Sequence, residues 1–153
     1  MTSYKIEKLK LKDYDKCNNI WDMNEKPKMA KMFYDELASG NRITFIYIEN
    51  NNFIAEGSLV FKNSDSDYTI PDKRIYLSRM IVKEEYRNHG IGGIIVDFLI
   101  DYAQALGFEE IALGVDTDNV NARHLYEKKG FTDVLYVGED NYGKYVKLLK
   151  KLE

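Results

Sequence analysis

"EEYRNHGIGGIIVDFLIDYAQALGF", running from Glu84 to Phe108, decides how this chain reads. Its second part is an amphipathic helix. Ile91, Ile94, Ile95, Phe98, Leu99, Tyr102, Ala103 and Leu106 recur at steps of three and four and make one core-facing stripe. Its front carries Gly90, Gly92 and Gly93, although glycine inside a helix costs about 1 kcal/mol relative to alanine. A helix start has unpaired N–H donors and a partial positive charge. Without Cβ atoms those donors can be approached closely by a phosphate. Arg87 adds a full charge and a forked donor just upstream. The stretch therefore reads as a seat for a pyrophosphate; turn geometry or close packing is the other use for such glycines.

Working outward, "RIYLSRMIV" (Arg74–Val82) is a long, buried-looking strand before the loop, and "EEIALGV" (Glu109–Val115) is a strand after the helix. The long helix, closed by Gly107, then forms a parallel crossover between them. Upstream, "YKIEKL" from Tyr4 alternates like a strand. Asp13 is a plausible cap for a short helix lined by Leu11, Tyr14, Ile20 and Trp21. Pro27 suits a first helical turn and Gly40 the position past a helix end. "RITFIYIEN" and "FIAEGSLVFK" flank "NN" as a hairpin. Downstream, "NVNARHLYEKK" is a helix, and "FTDVLYVG" and "YGKYVKLLKK" are two strands around a turn. The expected architecture is α+β, a mixed and mostly antiparallel sheet of about seven strands flanked by about four helices. Residues 1–153 read as a single domain.

Two familiar glycine motifs fail. A dinucleotide fingerprint needs a third glycine where Ile95 stands, and no G-K-[ST] exists for a mononucleotide loop. What stands instead is R-N-H-G-I-G, Arg87 to Gly92, and downstream "DNVNARHLYEKKGF", Asp118 to Phe131. The first resembles the R/Q-x-x-G-x-G/A motif of the GCN5-related N-acetyltransferases, the GNAT superfamily. The second resembles the N-x-x-A-x-x-L-Y-E-K-x-G-F segment of the same family, matched by Asn119, Ala122, Leu125, Tyr126, Glu127, Lys128, Gly130 and Phe131. The resemblance is close from about Arg74 to Phe131 and looser over the rest.

That resemblance implies acetyl transfer from acetyl-CoA to an amine. It places the coenzyme A pyrophosphate on the main chain of Arg87, Asn88, His89, Gly90, Ile91, Gly92 and Gly93. The backbone of Met80 and Val82 would bond the pantetheine arm as an added strand would. A main-chain N–H there, that of Met80, would polarise the thioester carbonyl. Asn119 would hydrogen-bond pantetheine, although a helix N-cap is an equally natural role and the two are compatible. Tyr126 would protonate the departing thiolate. The alternative for Tyr126 is a core aromatic on the face it shares with Ala122 and Leu125.

A lysine-like amine has a pKa near 10.4, so roughly one in 2,500 is neutral at pH 7, and a base is needed. Some family members carry a glutamate in the strand that reads Leu113, Gly114 and Val115 here, and others an acid where Ser78 stands. Glu56, beside Gly57 in an apolar strand, is the first choice for the missing base, with Asp116 and Glu49 behind it and an exposed surface carboxylate as the alternative for each. Trp21, Met23, Met29 and Phe33 are candidates for an apolar acceptor wall, with Asp22 or Glu25 to attract a cation; ordinary packing accounts for them equally well. The loop "NSDSDYTIPD" either meets a basic substrate or is merely solvated.

A net charge of −3 argues against a nucleic-acid surface. One cysteine, Cys17, excludes an internal disulfide and reads as a packing residue in a reducing, cytoplasmic compartment. The N-terminus reads as no signal peptide, no apolar run is long enough for a membrane span, and two histidines with one cysteine give no metal site. The expected acceptor is a small-molecule amine. A protein N-terminus or lysine, or a non-catalytic acyl-CoA-binding module on the same fold, are the alternatives, and a homodimer is left open.

Overall fold

The computed structural model describes residues 3–153. In chain order the elements are β1 (Tyr4–Lys8), α1 (Pro27–Ser39), β2 (Arg42–Glu49), β3 (Asn52–Val60) and β4 (Arg74–Val82). Then come α2 (Ile91–Ala105), β5 (Glu110–Asp116), α3 (Val120–Lys128), β6 (Asp133–Asp140) and β7 (Gly143–Lys151). One mixed sheet holds the seven strands in the order β1-β2-β3-β4-β5-β7-β6. β1 with β2, β5 with β7 and β6 with β7 are antiparallel, while β4 and β5 are parallel and joined through α2. The α+β architecture is thus as expected. No helix among the described residues is long and apolar enough to cross a membrane.

Local chemistry explains the joints. The hairpin turns at Asn50 and Asn51, one residue before the "NN" (Asn51 and Asn52) read from sequence; their φ of 51° and 65° are the left-handed values that a two-residue hairpin asks of both central residues. Pro27 opens α1, and the Gly40 N–H closes it on the carbonyls of Glu36 and Leu37. One expected element takes another form: the segment Leu11–Asn19 is a 3-10 helix whose N-cap is Lys10, with no side-chain cap bond, and Asp13 pairs with Lys16 instead. Tyr14 and Cys17 are its buried residues and Ile20, just past its end, is buried too; a spacing of three suits three residues per turn. Asp and Asn side chains in this segment compete with regular α-helical bonding. Met23–Glu25 and Glu84–Tyr86 are short 3-10 turns; with α1, α2 and α3, the Leu11–Asn19 helix makes the four expected beside the sheet.

The chain divides into two compact units, the first comprising the chain up to Leu59 with Arg79–Val96, the second Val60–Ser78 with Asp97–Glu153. In the first, Leu9, Tyr14, Cys17, Ile20, Trp21, Phe33, Ile46 and Ile48 form a buried cluster, with Met23, Met29 and Ile81 packed against it. In the second, Leu99, Ala103, Ile111, Ala112, Leu113, Phe131 and Leu148 are essentially fully buried. The helix stripe read from sequence is narrower in the fold: Ile91, Ile95, Leu99 and Ala103 bury completely at four-residue steps together with Val96, and Leu106 is 44% exposed.

The second unit also holds a nearly buried ion pair. Arg74 Nε donates to Glu110 Oε1 at 2.9 Å, with side chains 12% and 8% exposed, and Arg74 Nη1 donates to the Asp67 carbonyl. Breaking such a pair strands a charge, whereas replacing both partners by apolar groups removes the problem. In urea unfolding, Glu110→Leu is expected to cost about 3 kcal/mol, and the double change Arg74→Met/Glu110→Leu markedly less than that.

Candidate active site

The loop before α2 is built in the way the glycine pattern suggests. Arg87 is extended, with φ −69° and ψ 156°, and Asn88 and Gly90 are left-handed, with φ of 67° and 81°. Successive N–H groups in such turn conformations make concavities that bind anions. Ile94 N–H bonds to the Gly90 carbonyl at 3.2 Å, so Ile91, Gly92 and Gly93 supply the helix's first amides, which have no partner within the helix. Around the Gly90 Cα there is open space, and the positive φ rather than crowding favours glycine there. Arg87 through Gly90 are exposed. Arg87 Nε donates to the Val82 carbonyl at 3.0 Å, tethering the guanidinium at the strand end.

On β4, the parallel ladder to β5 runs from Arg74 to Tyr76. Met80 and Val82 come after its last rung. The Lys83 N–H bonds to the Ile54 carbonyl at 2.8 Å, holding the end of β4 to β3.

Glu56, on β3, is 4% exposed rather than a surface carboxylate. Its Oε1 accepts a hydrogen bond from Trp21 Nε1 at 2.7 Å. Burial pushes its pKa above the ordinary carboxylate range; the Arg79 charge, the indole bond and the Arg42 charge pull it down without cancelling that effect. Arg79 has its Cζ 4.5 Å from the centre of the Trp21 ring and 5.6 Å from that of Phe33. Arg42 stacks over Phe33 at 4.0 Å and pairs with Glu36 at 3.2 Å. The expected acceptor wall is therefore mostly core: Trp21 and Phe33 are buried, and Met23 and Met29 lie at its margin. Asp22 accepts from the Asn24 N–H as a local cap, and Glu25 is exposed.

In the second unit, Tyr126 on α3 is 7% exposed, with its ring edge-on to Phe131 at 6.0 Å. Burial, aided by the nearby Tyr76, pushes its phenol up to about 12. Asn119 is the N-cap of α3, its Oδ1 accepting from the Ala122 N–H at 3.3 Å. Of the other candidates, Asp116 is exposed and Glu49 pairs with Tyr4 on the outermost strand. His89 and His124 are exposed. Cys17 is fully buried, and burial followed by the Glu56 charge drives its thiol far above the usual value, which suits packing and disfavours a nucleophile.

The acidic loop behaves unlike either expectation. Lys147 donates to Asp65 at 2.6 Å and to Asp67 at 3.1 Å. Burial alone would lower the Lys147 pKa, and the two carboxylates outweigh it and raise it. Tyr68, carried by the same loop, stacks on Tyr76 at 4.2 Å, and burial raises its phenol to about 12. A Cβ at Gly114 would run into the Tyr68 hydroxyl. The glycine where some family members carry a glutamate is thus space taken by a phenol from the loop. Sequence gave no pointer to this pairing across 46 residues beyond the odd glycine in an apolar strand. Gly114→Ala is expected to destabilise the protein by about 1–3 kcal/mol, through overpacking. In a Tyr68→Ala background the same change should cost far less, a coupling that denaturant unfolding of the four proteins measures.

Residues 9–131 match the Acetyltransferase (GNAT) family. The human relative N-acetyltransferase 8 is 32% identical over 65 residues, 42% of this chain, and the chain spans 29% of that relative's length. The solved IAA acetyltransferase from Bacillus cereus ATCC 14579 has a similar fold, with a TM-score of 0.77 at 16% identity over 98% of this chain and 100% of that one. The PaiA N-acetyltransferase from Thermoplasma acidophilum, solved in complex with coenzyme A, gives a TM-score of 0.71 at 17% identity over 98% and 99%. Those two likenesses speak for the fold alone. With both motifs in place and the family match running through them, the chain belongs to the acetyltransferase (GNAT) family.

Proposed function

We propose that residues 1–153 act as one catalytic domain that moves an acetyl group from acetyl-CoA directly to a primary amine on a small molecule. The observation that carries this reading is the start of α2. Its first amides have no partner within the helix, follow two left-handed residues, and stand beside Arg87 in an exposed loop. A pyrophosphate supplies the acceptors and negative charge this arrangement lacks. Main-chain groups of Met80 and Val82, past the last rung of the β4–β5 ladder, take the pantetheine arm, and the Met80 N–H polarises the thioester carbonyl. The Asn119 amide adds a further pantetheine bond while its oxygen caps α3.

Glu56 removes the proton from the incoming ammonium. A carboxylate raised by burial is a better base near neutral pH than an ordinary one. Tyr126 attends the leaving sulfur. With its phenol raised to about 12 it keeps its proton throughout the neutral range. Complete transfer to a free thiolate, of ordinary pKa about 8.5, is uphill, so Tyr126 acts first as a hydrogen-bond donor to the sulfur while the C–S bond breaks.

The reading includes a cytoplasmic setting, supported by the one cysteine being free and buried. It also includes a homodimer through β6, supported by that strand's place at the sheet edge and by the exposure of Val134, Tyr136 and Val137.

Release of free thiol from acetyl-CoA with a panel of amines, amino acids and peptides tests the reaction. Turnover of small amines supports the reading, turnover of peptides alone redirects it to protein acceptors, and coenzyme A binding without turnover leaves a binding module. Tyr126→Phe is expected to lower kcat about 100-fold while coenzyme A affinity stays within about twofold. The acidic limb of the kcat/KM profile should lie above the ordinary glutamate value of about 4.3 and vanish in Glu56→Gln. An unchanged limb in that variant removes Glu56 from the base role.

A further inference from the structure

Arg79 enters the core of the first unit with little to hold its guanidinium. Such a group offers five N–H donors. Its hydrogen-bond partner among the described residues is the Met29 thioether, 3.6 Å from Nη1 and a weak acceptor, and its Nε is buried with no such partner there. The ring faces of Trp21 and Phe33 attract the cation but accept no conventional hydrogen bond. Glu56 sits on the same indole, fixed by the 2.7 Å bond from Nε1. Each charge is felt at the other, yet the two do not close into an ion pair. A buried donor left unmade is costly. A separated carboxylate and guanidinium against one aromatic wall suit a guest that carries both opposite charges close together.

We propose that the acetyl acceptor is an α-amino acid with an apolar side chain, Arg79 taking its carboxylate and Glu56 its ammonium across the face of Trp21. This names the substrate class of the acetyl-transfer reading and rests on it. The two charged groups of an α-amino acid stand on one carbon, as Glu56 and Arg79 stand on one indole. A polyamine would bring a second cation to Arg79. The C-terminus of a peptide would offer the carboxylate without the neighbouring amine. Met29, half-buried at the margin of the cluster, meets an apolar side chain, with Trp21 and Phe33 behind it in the core. In the reaction the amine nitrogen bonds to the acetyl carbon as the C–S bond breaks, and the sulfur leaves with the electron pair. Overall the ammonium loses two protons; one ends on the coenzyme A sulfur and the other passes through Glu56 to solvent. The N-acetyl product has lost the charge that Glu56 held and keeps only the Arg79 contact, which favours its release.

Phenylalanine, phenylalaninamide and phenethylamine, assayed with acetyl-CoA on the same protein, test this. A charge-assisted carboxylate contact predicts kcat/KM for phenylalanine about 10- to 100-fold above the other two. Arg79→Met should abolish the preference for phenylalanine over the two carboxylate-free amines, because any change passed through Glu56 acts on all three alike; Arg79→Lys should recover part of the preference. Calorimetry of coenzyme A binding on each variant reports whether the fold survives, and the wild-type comparison decides the matter if a variant does not. Equal use of the three acceptors, retention of the preference in Arg79→Met, or coenzyme A binding with no turnover of any of them overturns the inference. Absence of coenzyme A binding to the wild type overturns the acetyl-transfer reading beneath it instead.

Discussion

An α-helix cannot bond its own first amides, and the proposed chemistry of this protein depends on where those of α2 are left. A helix start can hide its donors under a capping side chain. Here Gly90 occupies the cap position and has no side chain to offer, its φ of 81° turns the chain into the helix, and two of the next three residues are again glycines. The intrinsic cost of those glycines, about 1 kcal/mol each, is offset only if something outside the helix meets the exposed N–H groups. Arg87, tethered through its Nε to the Val82 carbonyl, brings a fixed positive charge to the same loop. A diphosphate, the ligand proposed for this loop, would answer both features at once.

The first unit places its other unusual feature inside the core. Glutamine at position 56 could accept the Trp21 N–H as well as glutamate does, without the desolvation of a charge. Because the folded pKa of Glu56 is raised, its contribution to stability is greatest below the unfolded value and is lost as pH rises through the folded one. In its ionised form the buried carboxylate therefore weakens the fold relative to a neutral acceptor. Arg79, on the same indole and short of acceptors, adds a second cost of the same kind. Charges retained in a core at a loss of stability fit a role in binding and proton transfer better than one in packing.

The sheet and the α2 crossover were legible in the sequence because periodicity and turn chemistry agree there. The asparagines between two alternating runs, Pro27 in a first helical turn and the stripe at three- and four-residue steps from Ile91 each point to one element, although only part of that stripe is buried. The segment from Leu11 was less legible: its apolar spacing of three fits a 3-10 turn as well as an α-helix, and only tertiary burial of Tyr14, Cys17 and Ile20 selects between them. The turn from Arg87 to Gly90 ahead of α2 could be read because its signal is local and lies in consecutive residues. The Glu56–Trp21–Arg79 grouping and the seat of Tyr68 over Gly114 were not, since each joins residues from separate parts of the chain whose types alone suggest surface or packing roles. Glu56 was singled out by its apolar neighbours, but neither its bond to Trp21 nor the involvement of Arg79 left any mark in the spacing.

The most direct measurement is of the main-chain amides themselves. In amide-resolved NMR, coenzyme A should shift the N–H signals of Ile91, Gly92 and Gly93 strongly, and pantetheine, which lacks the pyrophosphate, should leave them nearly in place. Equal responses to the two ligands, or a strongest response to coenzyme A elsewhere in the chain, would contradict the account.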